Sequence, residues 1–433
     1  MMWTSDDGSA PPPAPITRAN WIWSPMSAGS RRSGAPPPRR GASGLRGSSV
    51  LIVIQNMSFT FDTRMQNVVR TLVAHGHRVR VICPRYRGDP LRAERFGAEV
   101  HYYPVRFASG GVRAQLWEYA TALASIAALM ARLQAQERIA VIHLCNPPDI
   151  LFPIALPFKA LGARVIFDMH DLCPELGAAR FGGRSWLRAV LHACEWASIR
   201  VADHVLAASP SGVARALARG RKPDEVTLVR NGLAAPLAPG AAAPPPRGRR
   251  TRIGYVGNIN PQDGVAMLVE AAAHMVHVLG RDDVEVLCVG DGSALSAVRR
   301  LASDRRLGDS FVFTGRLPHD KAMALLADCD VCALPDGKNP FTDTCVMVKA
   351  LEYAALGKAF ACFDLRETRA VCAGAALVAD GESPAALARA LLALVDDPEL
   401  RREREQAARA LAPSLLWAAS EPALLAAYAR LAP

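Results

Sequence analysis

Short apolar segments alternate with amphipathic helical segments along most of this chain, and the alternation occurs twice. The first segment, Val50-Leu-Ile-Val-Ile54, is apolar at every position, which is typical of a parallel strand covered on both faces. Similar segments follow at 79–83, 141–145, 165–169, 205–208 and 226–229. Because parallel strands need crossover connections, this pattern predicts a doubly wound parallel sheet.

The same alternation restarts after residue 250, with apolar segments at 253–256, 284–289, 311–314, 331–334 and 359–363. Residues 234–250 are rich in alanine, proline and glycine, as expected of an interdomain linker. A chain of 433 residues with 50% hydrophobic content can bury two cores. The sequence therefore predicts two α/β domains, at 50–233 and 251–412, and a final helix within 413–433.

The first 49 residues have a different composition, dominated by proline, glycine, serine, alanine and arginine. Six arginines against two aspartates give this segment a charge of +4, over a third of the formal +11 of the chain. Such a segment buries too little apolar surface to offset the entropy of ordering, so we expect disorder. It is either a basic tail that meets anionic lipid or a start assigned too far upstream, with Met26 as the alternative start.

Composition also limits the classes of protein. The sequence has no run of about 18 apolar residues, so no membrane span is predicted. No apolar segment of the kind found in signal peptides follows the first charges. Five of the ten cysteines, Cys83, Cys145, Cys288, Cys332 and Cys362, lie in apolar strand-like segments, where reduced cysteines pack as small hydrophobes. A reducing cytoplasm is therefore the expected compartment. The arginines are scattered without an aromatic platform, so nucleic-acid binding is not predicted.

The segment from Asn339 to Lys358 carries the strongest functional signal. It predicts a loop that leads into a short helix, with Thr344 as the N-cap and Gly357 at the end. A helix N-terminus presents free N–H groups and the positive end of the dipole to an anion, and Lys349 adds a charge. Glu352 can accept hydrogen bonds from sugar hydroxyls. Together these groups match the needs of a nucleoside diphosphate.

This segment and several others resemble the family-4 (group 1) glycosyltransferases of the GT-B fold, in the branch that builds bacterial exopolysaccharides. The resemblance runs from about Val50 to the C-terminus. It rests on Phe61-Asp-Thr-Arg64-Met65, Asn146-Pro-Pro-Asp149, Phe167-Asp-Met-His170-Asp171-Leu-Cys-Pro-Glu175, Gly254-Tyr-Val-Gly257, Gly290-Asp-Gly292, Phe313-Thr-Gly315 and the 339–358 segment. It implies two Rossmann-like domains that face a central cleft, with the C-terminal helix crossing back to the first domain.

The resemblance and the positions at strand ends give a set of candidate site residues. It implies that His170 lies near the transferred sugar, with Asp171 beside it, while Arg64 is placed to reach a phosphate or an acceptor group. The candidate catalytic residues are His170, Asp171, Lys349, Glu352 and Arg64. The candidate donor-binding residues are Gly257, Gly290, Gly292, Gly315, Asn339, Phe341, Asp343, Thr344, Lys349 and Glu352. Each glycine allows either close approach to a nucleotide or an ordinary tight turn.

Two departures from the family pattern concern charge. The family usually has an arginine and a lysine after the first strand of the second domain, where this chain has Asn258 and Asp263. The first of the family's two glutamates is also missing, since Thr344 stands near that position. The exopolysaccharide branch commonly lacks the same basic pair. Lys349, Lys338 and Arg64 are the candidates to balance a diphosphate.

The resemblance implies a retaining hexosyltransferase that moves a sugar from a nucleoside diphosphate sugar to a hydroxyl acceptor without a metal or other cofactor. The expected acceptor is a lipid-linked saccharide, and peripheral contact with the inner membrane face is expected through a surface such as Ser185–Arg200. An ordinary core-facing helix is the alternative for that segment. The alternative functions are a non-catalytic relative that binds nucleotide sugar and a GT-B nucleotide-sugar 2-epimerase.

Overall fold

The computed structural model describes residues 47–86, 88–105, 112–181, 184–237 and 250–431. The tail expected to be disordered, 1–49, lies almost entirely outside these ranges, and so does most of the expected linker 234–250. Two separate sheets account for the described strands, one in each half of the chain.

The N-terminal sheet has eight strands in the order β3-β4-β2-β1-β5-β6-β7-β8. They are β1 (Ser49–Val53), β2 (Arg78–Arg85), β3 (Arg92–Arg95), β4 (Ala98–Pro104), β5 (Val141–Cys145), β6 (Arg164–Met169), β7 (His204–Ala207) and β8 (Val226–Leu228). Its helices are α1 (Thr63–Ala74), α2 (Val112–Gln136), α3 (Phe152–Ala160), α4 (Cys173–Phe181), α5 (Ser185–Val201) and α6 (Pro210–Ala218). Of these strands, β3 pairs antiparallel with β4 and the others pair in parallel.

The C-terminal sheet has six parallel strands in the order β11-β10-β9-β12-β13-β14. They are β9 (Thr251–Val256), β10 (Val284–Val289), β11 (Phe311–Gly315), β12 (Val331–Leu334), β13 (Phe360–Cys362) and β14 (Ala376–Val378). Its helices are α7 (Val265–Ala273), α8 (Leu295–Asp304), α9 (His319–Ala327), α10 (Val348–Ala355), α11 (Arg366–Cys372), α12 (Pro384–Asp396) and α13 (Pro398–Leu411). The prediction of two doubly wound α/β units is confirmed.

The apolar character of β1 from Val50 to Val53 follows from its position between two layers of helices. Val50 and Ile52 pack in one core cluster with side chains of α1, while Leu51 and Val53 pack in another with side chains of α2. All five residues of this strand are buried. Because both faces of the strand are covered, its residues from Val50 to Val53 are apolar, and the one polar residue, Ser49, accepts a hydrogen bond from Arg80 at 2.8 Å.

The last helix, α14 (Trp417–Ala429), packs on the N-terminal domain. Trp417 and Tyr428 belong to the same core cluster as β1 and α1. The two chain segments that pass between the domains lie side by side: Leu233 N donates to Leu415 O at 2.9 Å, and Trp417 N donates to Leu233 O at 2.8 Å. We call this paired segment, residues 230–233 and 415–417, the hinge.

The carboxyl ends of the N-terminal strands face the C-terminal domain. After β7, Ser209 Oγ donates to Thr344 O at 3.2 Å, and Ser211 N donates to Glu367 Oε1 of α11 at 2.9 Å. After β6, Asp171 Oδ1 lies 3.6 Å from Cys345 Sγ. In open α/β sheets this edge is where ligands bind.

Candidate active site

An open pocket lies at the carboxyl ends of β9, β10 and β11. Its walls are formed by Val256–Asn258, Val289–Gly292, Arg316, Leu317 and Ala322. Three of the glycines named from the sequence, at 257, 290 and 292, therefore line it, and the fourth, Gly315, immediately precedes Arg316. Because glycines supply much of its lining, the pocket offers backbone N–H and C=O groups at close range.

Gly290 is required by the packing of these loops on each other. Its φ is +154°, and a Cβ there would lie 1.9 Å from the carbonyl oxygen of Gly257. Its N–H donates to Gly315 O at 3.0 Å. The backbone that approaches Gly290 in this structure is thus the neighbouring loop, which fixes the shape of the pocket floor.

Glu352, on α10, is 3% exposed. Its Oε1 lies 2.9 Å from Nε2 of His319, the first residue of α9 and two positions after Leu317 of the pocket wall. Its Oε2 is buried and has no hydrogen-bond partner among the described residues. A buried carboxylate oxygen without a donor is unfavourable, so this atom is poised to accept a hydrogen bond from a ligand.

His319 was not identified from the sequence. Its contact with Glu352 joins residues 33 positions apart, and no periodicity indicates such a pair. The available signal is its position directly after the strand–turn Phe313-Thr-Gly-Arg-Leu-Pro318, at the edge of the sheet where ligands bind.

Lys349 lies one turn before Glu352 and is also buried. Its Nζ is 2.9 Å from Asp336 Oδ2 and 3.9 Å from Asp263 Oδ1. Burial opposes the charge of Lys349, but the two aspartates raise its pKa. Burial raises the pKa of Asp336 to about 6, although Lys349 lowers it. The charge of Lys349 is thus already balanced inside the protein.

The structure corrects the predicted start of this helix. Helix α10 begins at Val348 with Met347 at the N-cap position, and the prediction that Thr344 is the N-cap is wrong. The Thr344 hydroxyl instead donates to Pro340 O at 2.9 Å. The reason is that residues before 348 close a turn of their own, in which Thr344 N donates to Phe341 O at 3.1 Å.

The other residues named in this loop shape it. Asn339 Oδ1 accepts hydrogen bonds from the backbone of Phe341 at 2.9 Å and of Thr342 at 3.0 Å. Asp343 Oδ1 accepts from the backbone N of Arg366 at 2.9 Å, and Lys338 Nζ lies 3.8 Å from the same carboxylate. These contacts stabilise the loop itself and hold it against the start of α11 in the same domain.

On the opposite side of the cleft, Asn146 fixes the turn that carries His170 and Asp171. Its Oδ1 accepts from His170 N at 2.6 Å and Asp171 N at 3.3 Å, and its Nδ2 donates to Asp171 O at 2.7 Å. Burial raises the pKa of Asp171. The turn lies at the domain interface, where Asp171 meets Cys345 of the loop before α10.

Arg64 is directed into the N-terminal domain. Its Nε and Nη2 donate to the two oxygens of Asp168 at 3.0 and 2.7 Å. Its Nη1 donates to Val229 O at 2.7 Å and to Asn231 Oδ1 at 3.0 Å. The structure therefore brings this guanidinium to Asp168 and the hinge, and it places Lys349 and Glu352 together in the other domain.

Two doubly wound parallel sheets that face each other, with a pocket at strand ends and a last helix that returns to the first domain, define the GT-B class of fold. Solved structures of that class agree. The sucrose-phosphate synthase of Thermosynechococcus elongatus superposes with a TM-score of 0.72 at 18% identity, over 89% of this chain and 99% of that one. Anabaena HepE in complex with UDP-glucose gives 0.63 at 14% identity, over 87% and 98%.

Family models match both halves of the chain. The glycosyl transferase 4-like domain matches residues 61–232, and the glycosyl transferases group 1 domain matches 250–397. The two matches span about three quarters of the chain, which therefore belongs to the group 1 glycosyltransferases. The chain is also 33% identical over 160 residues to the 2-deoxystreptamine glucosyltransferase of Streptomyces kanamyceticus, which is 35% of this chain and 40% of that relative's length. The predicted family is confirmed, and the exopolysaccharide branch stays a prediction.

Proposed function

We propose that this protein is a retaining glycosyltransferase that moves a sugar from a nucleoside diphosphate sugar to a hydroxyl acceptor. The observation that carries the proposal is the buried, unpartnered Oε2 of Glu352, whose other oxygen contacts His319, two positions after Leu317 of the pocket wall. A hydroxyl of the donor's ribose or sugar would supply the missing hydrogen bond. A relative named for glucosyl transfer and a structural neighbour that holds UDP-glucose support the same donor class.

In the proposed reaction, the backbone of the pocket loops holds the nucleotide, and the N-terminus of α10 points its N–H groups at the diphosphate. His170 and Asp171 enclose the sugar from the opposite domain. The leaving diphosphate takes the proton of the acceptor hydroxyl on the same face of the sugar, so the anomeric configuration is retained. Stabilisation of the charge that develops on the diphosphate is the protein's main contribution, and we propose that no metal or other cofactor takes part.

The proposed acceptor is a lipid-linked saccharide used in exopolysaccharide or cell-surface glycan synthesis, reached from the cytoplasmic side of the membrane.

The outer face of α5 supports this choice. Trp186, Val190 and Trp196 are 53%, 50% and 51% exposed on that face, and the arginines of the same helix region are Arg184, Arg188 and Arg200. Glu195 is turned inward and paired with arginines of α6 and its C-cap. The apolar and basic face therefore suits an anionic lipid surface. No helix among the described residues is long and apolar enough to cross a membrane.

A second candidate, a non-catalytic relative that binds nucleotide sugar, is favoured by one observation. Lys349 is held by Asp336 and Asp263 in the region where the family's basic pair is replaced. If this arrangement prevents productive binding of the diphosphate, the donor binds without turnover.

The test is a binding and turnover screen of the full chain with UDP-, GDP-, ADP- and dTDP-sugars in the presence of EDTA. We expect one nucleotide to raise the unfolding midpoint. We expect Glu352→Gln to weaken its binding by about tenfold or more, because each hydrogen bond to a charged group contributes about 1.5–3 kcal/mol. Glu270→Gln is the control, since Glu270 pairs with Arg305 outside the pocket lining.

Each outcome has a distinct meaning. Sugar transfer with retention supports the proposal, binding without turnover supports the non-catalytic relative, and donor hydrolysis without an acceptor points to the 2-epimerase. Wild-type affinity in Glu352→Gln would remove the central assignment.

A further inference from the structure

A fully buried carboxylate lies directly behind His170. Asp168, at the carboxyl end of β6, is 0% exposed. Besides the two hydrogen bonds from Arg64, its Oδ2 lies 3.2 Å from His143 Nε2 and 3.1 Å from His170 Nε2. Burial opposes ionisation, but Arg64, His170 and His143 hold the pKa of Asp168 well below its ordinary value. The carboxylate is therefore an anion at neutral pH.

A chain of hydrogen bonds continues from Asp168 to the last helix. His143, on β5, is fully buried, and its Nδ1 lies 2.7 Å from the hydroxyl of Tyr428 on α14. In the tautomer whose Nε2–H faces the Asp168 anion, Nδ1 of His143 accepts the hydrogen bond that the Tyr428 hydroxyl donates. Burial raises the pKa of Tyr428 well above its ordinary value, so the hydroxyl keeps its proton.

Hydrogen bonds lead from this carboxylate to one hinge segment and to the helix that follows the other. Arg64 links Asp168 to Val229 O and Asn231 Oδ1, where the chain enters the hinge. Helix α14, which carries Tyr428, begins at Trp417, where the chain leaves the hinge. Asp168 is thus linked through Arg64 to the first hinge segment, and through His143 to Tyr428 on the helix that follows the second segment.

The geometry at Oδ2 makes these contacts interdependent. Arg64 Nε, His143 Nε2 and His170 Nε2 all lie within 3.2 Å of this one oxygen. A carboxylate oxygen has about two lone-pair directions, and the approach of His170 lacks the alignment of a good hydrogen bond. A shift of His143 therefore changes which lone-pair direction of this oxygen is available to His170.

We infer that Asp168 is a positioning residue for His170, and that Tyr428 acts on it through His143, so that the position of the crossing helix is transmitted to the cleft. The effect on turnover rests on the proposed function, while the coupling between Tyr428 and His170 does not.

The test is Tyr428→Phe, which removes the hydroxyl and keeps the buried ring. We expect the imidazole ¹⁵N signals of both His143 and His170 to shift in labelled full-length protein, with His170→Asn used to assign the His170 signal. We also expect kcat to fall about tenfold with the donor KM within about twofold, because misplacement of a reacting group by about 1 Å lowers the rate more than the affinity.

Thr71→Val is the matched control. It removes the hydrogen bond from Trp417 Nε1 to Thr71 Oγ1, 2.8 Å, which also ties the C-terminal segment to α1. Like Tyr428→Phe, it leaves one buried polar atom without its partner. It does not touch Asp168, so we expect unchanged His170 signals and a turnover within about twofold of wild type. Asp168→Asn is unsuitable as the main test, because it leaves Arg64 buried without its counter-charge.

Identical His170 signals in wild type and Tyr428→Phe would refute the coupling. Equal changes in both variants would also refute it, because general loosening of α14 would then be the cause. Shifted signals with wild-type kcat would refute the positioning role. If no donor is turned over by the wild type, the spectra still decide the coupling, and the failure belongs to the proposed function.

Discussion

Asp149 provides a test of how the N-terminal domain supports the cleft. It ends the Asn146-Pro-Pro-Asp149 block and is 3% exposed. Its Oδ1 accepts a hydrogen bond from Asn146 Nδ2 at 2.9 Å, while its Oδ2 is buried without a partner among the described residues. Burial raises the pKa of Asp149 to about 7, against the opposing effect of the Asn146 hydrogen bond.

The direction of the pH effect follows from this raised pKa. The unfolded chain binds the proton with the ordinary pKa of 3.8 and the folded chain with one of about 7. The stabilisation from this group is therefore complete below pH 3.8 and is lost as the pH rises to 7. About three units at about 1.4 kcal/mol each amount to about 4 kcal/mol. Asn at this position carries no charge at any pH and avoids this loss.

As the pH rises from 5 to 8, we therefore expect the difference in the free energy of unfolding between Asp149→Asn and wild type to change by about 3 kcal/mol in favour of the variant. This is the part of the total effect that falls in this pH range. The measurement is urea unfolding at several pH values, with the transition of the N-terminal domain fitted separately because a two-domain chain need not unfold in one step. Asp380→Asn, at an exposed aspartate of the C-terminal domain, is the control. The reasoning fails if the pH dependence of Asp149→Asn equals that of wild type, or if the variant is the less stable protein at pH 8.

Two further predictions concern packing and the surface. Gly264→Ala is expected to lower the free energy of unfolding in urea by several kcal/mol, since φ is +72° and the new Cβ would lie 2.0 Å from Pro335 O. Its control, Gly381→Ala, has φ +99° and open space around it, and should lower the same free energy by only about 1 kcal/mol. Combined Trp186→Ser and Trp196→Ser substitutions are expected to abolish co-sedimentation with vesicles that contain anionic lipid, while Val278→Ser, 67% exposed on the C-terminal domain, leaves it intact. Equal losses within either pair of variants would contradict the corresponding argument.

The strands were largely predictable because burial on both faces removes polar residues from them. Three strands, β3, β4 and β14, were missed. In the edge strand β3 the sequence Arg92-Ala-Glu-Arg95 has two arginines and a glutamate, and three of its four residues are exposed. A strand at the edge of a sheet needs no apolar run, and charged side chains there prevent pairing with other chains. The absence of an apolar segment therefore does not exclude an edge strand such as β3.

The candidate site was predictable only where its residues are close in sequence. Lys349 and Glu352 were placed on one helix because three residues make about one turn. The contact between Arg64 and Asp168 joins residues 104 positions apart, and that between Glu352 and His319 joins residues 33 apart. Such contacts depend on the order of strands in the sheet, which one sequence does not specify.

Charge in the C-terminal half of the cleft limits how a diphosphate can be held. Lys349 brings one positive charge, and Asp336 and Asp263 bring two carboxylates to it. Asp263 is further committed, because its Oδ2 accepts from Asn260 N at 2.9 Å. As long as Asp336 is ionised, the two carboxylates outweigh the charge of Lys349 and the cluster is negative. A diphosphate is then bound more favourably by the backbone N–H groups of α10 and the pocket loops than by this cluster. Protonation of Asp336, whose pKa is raised to about 6 by burial, removes one of the two carboxylates and leaves Lys349 with a single counter-charge. The protonation state of Asp336 beside Lys349 therefore decides how strongly this cluster repels or attracts an anion.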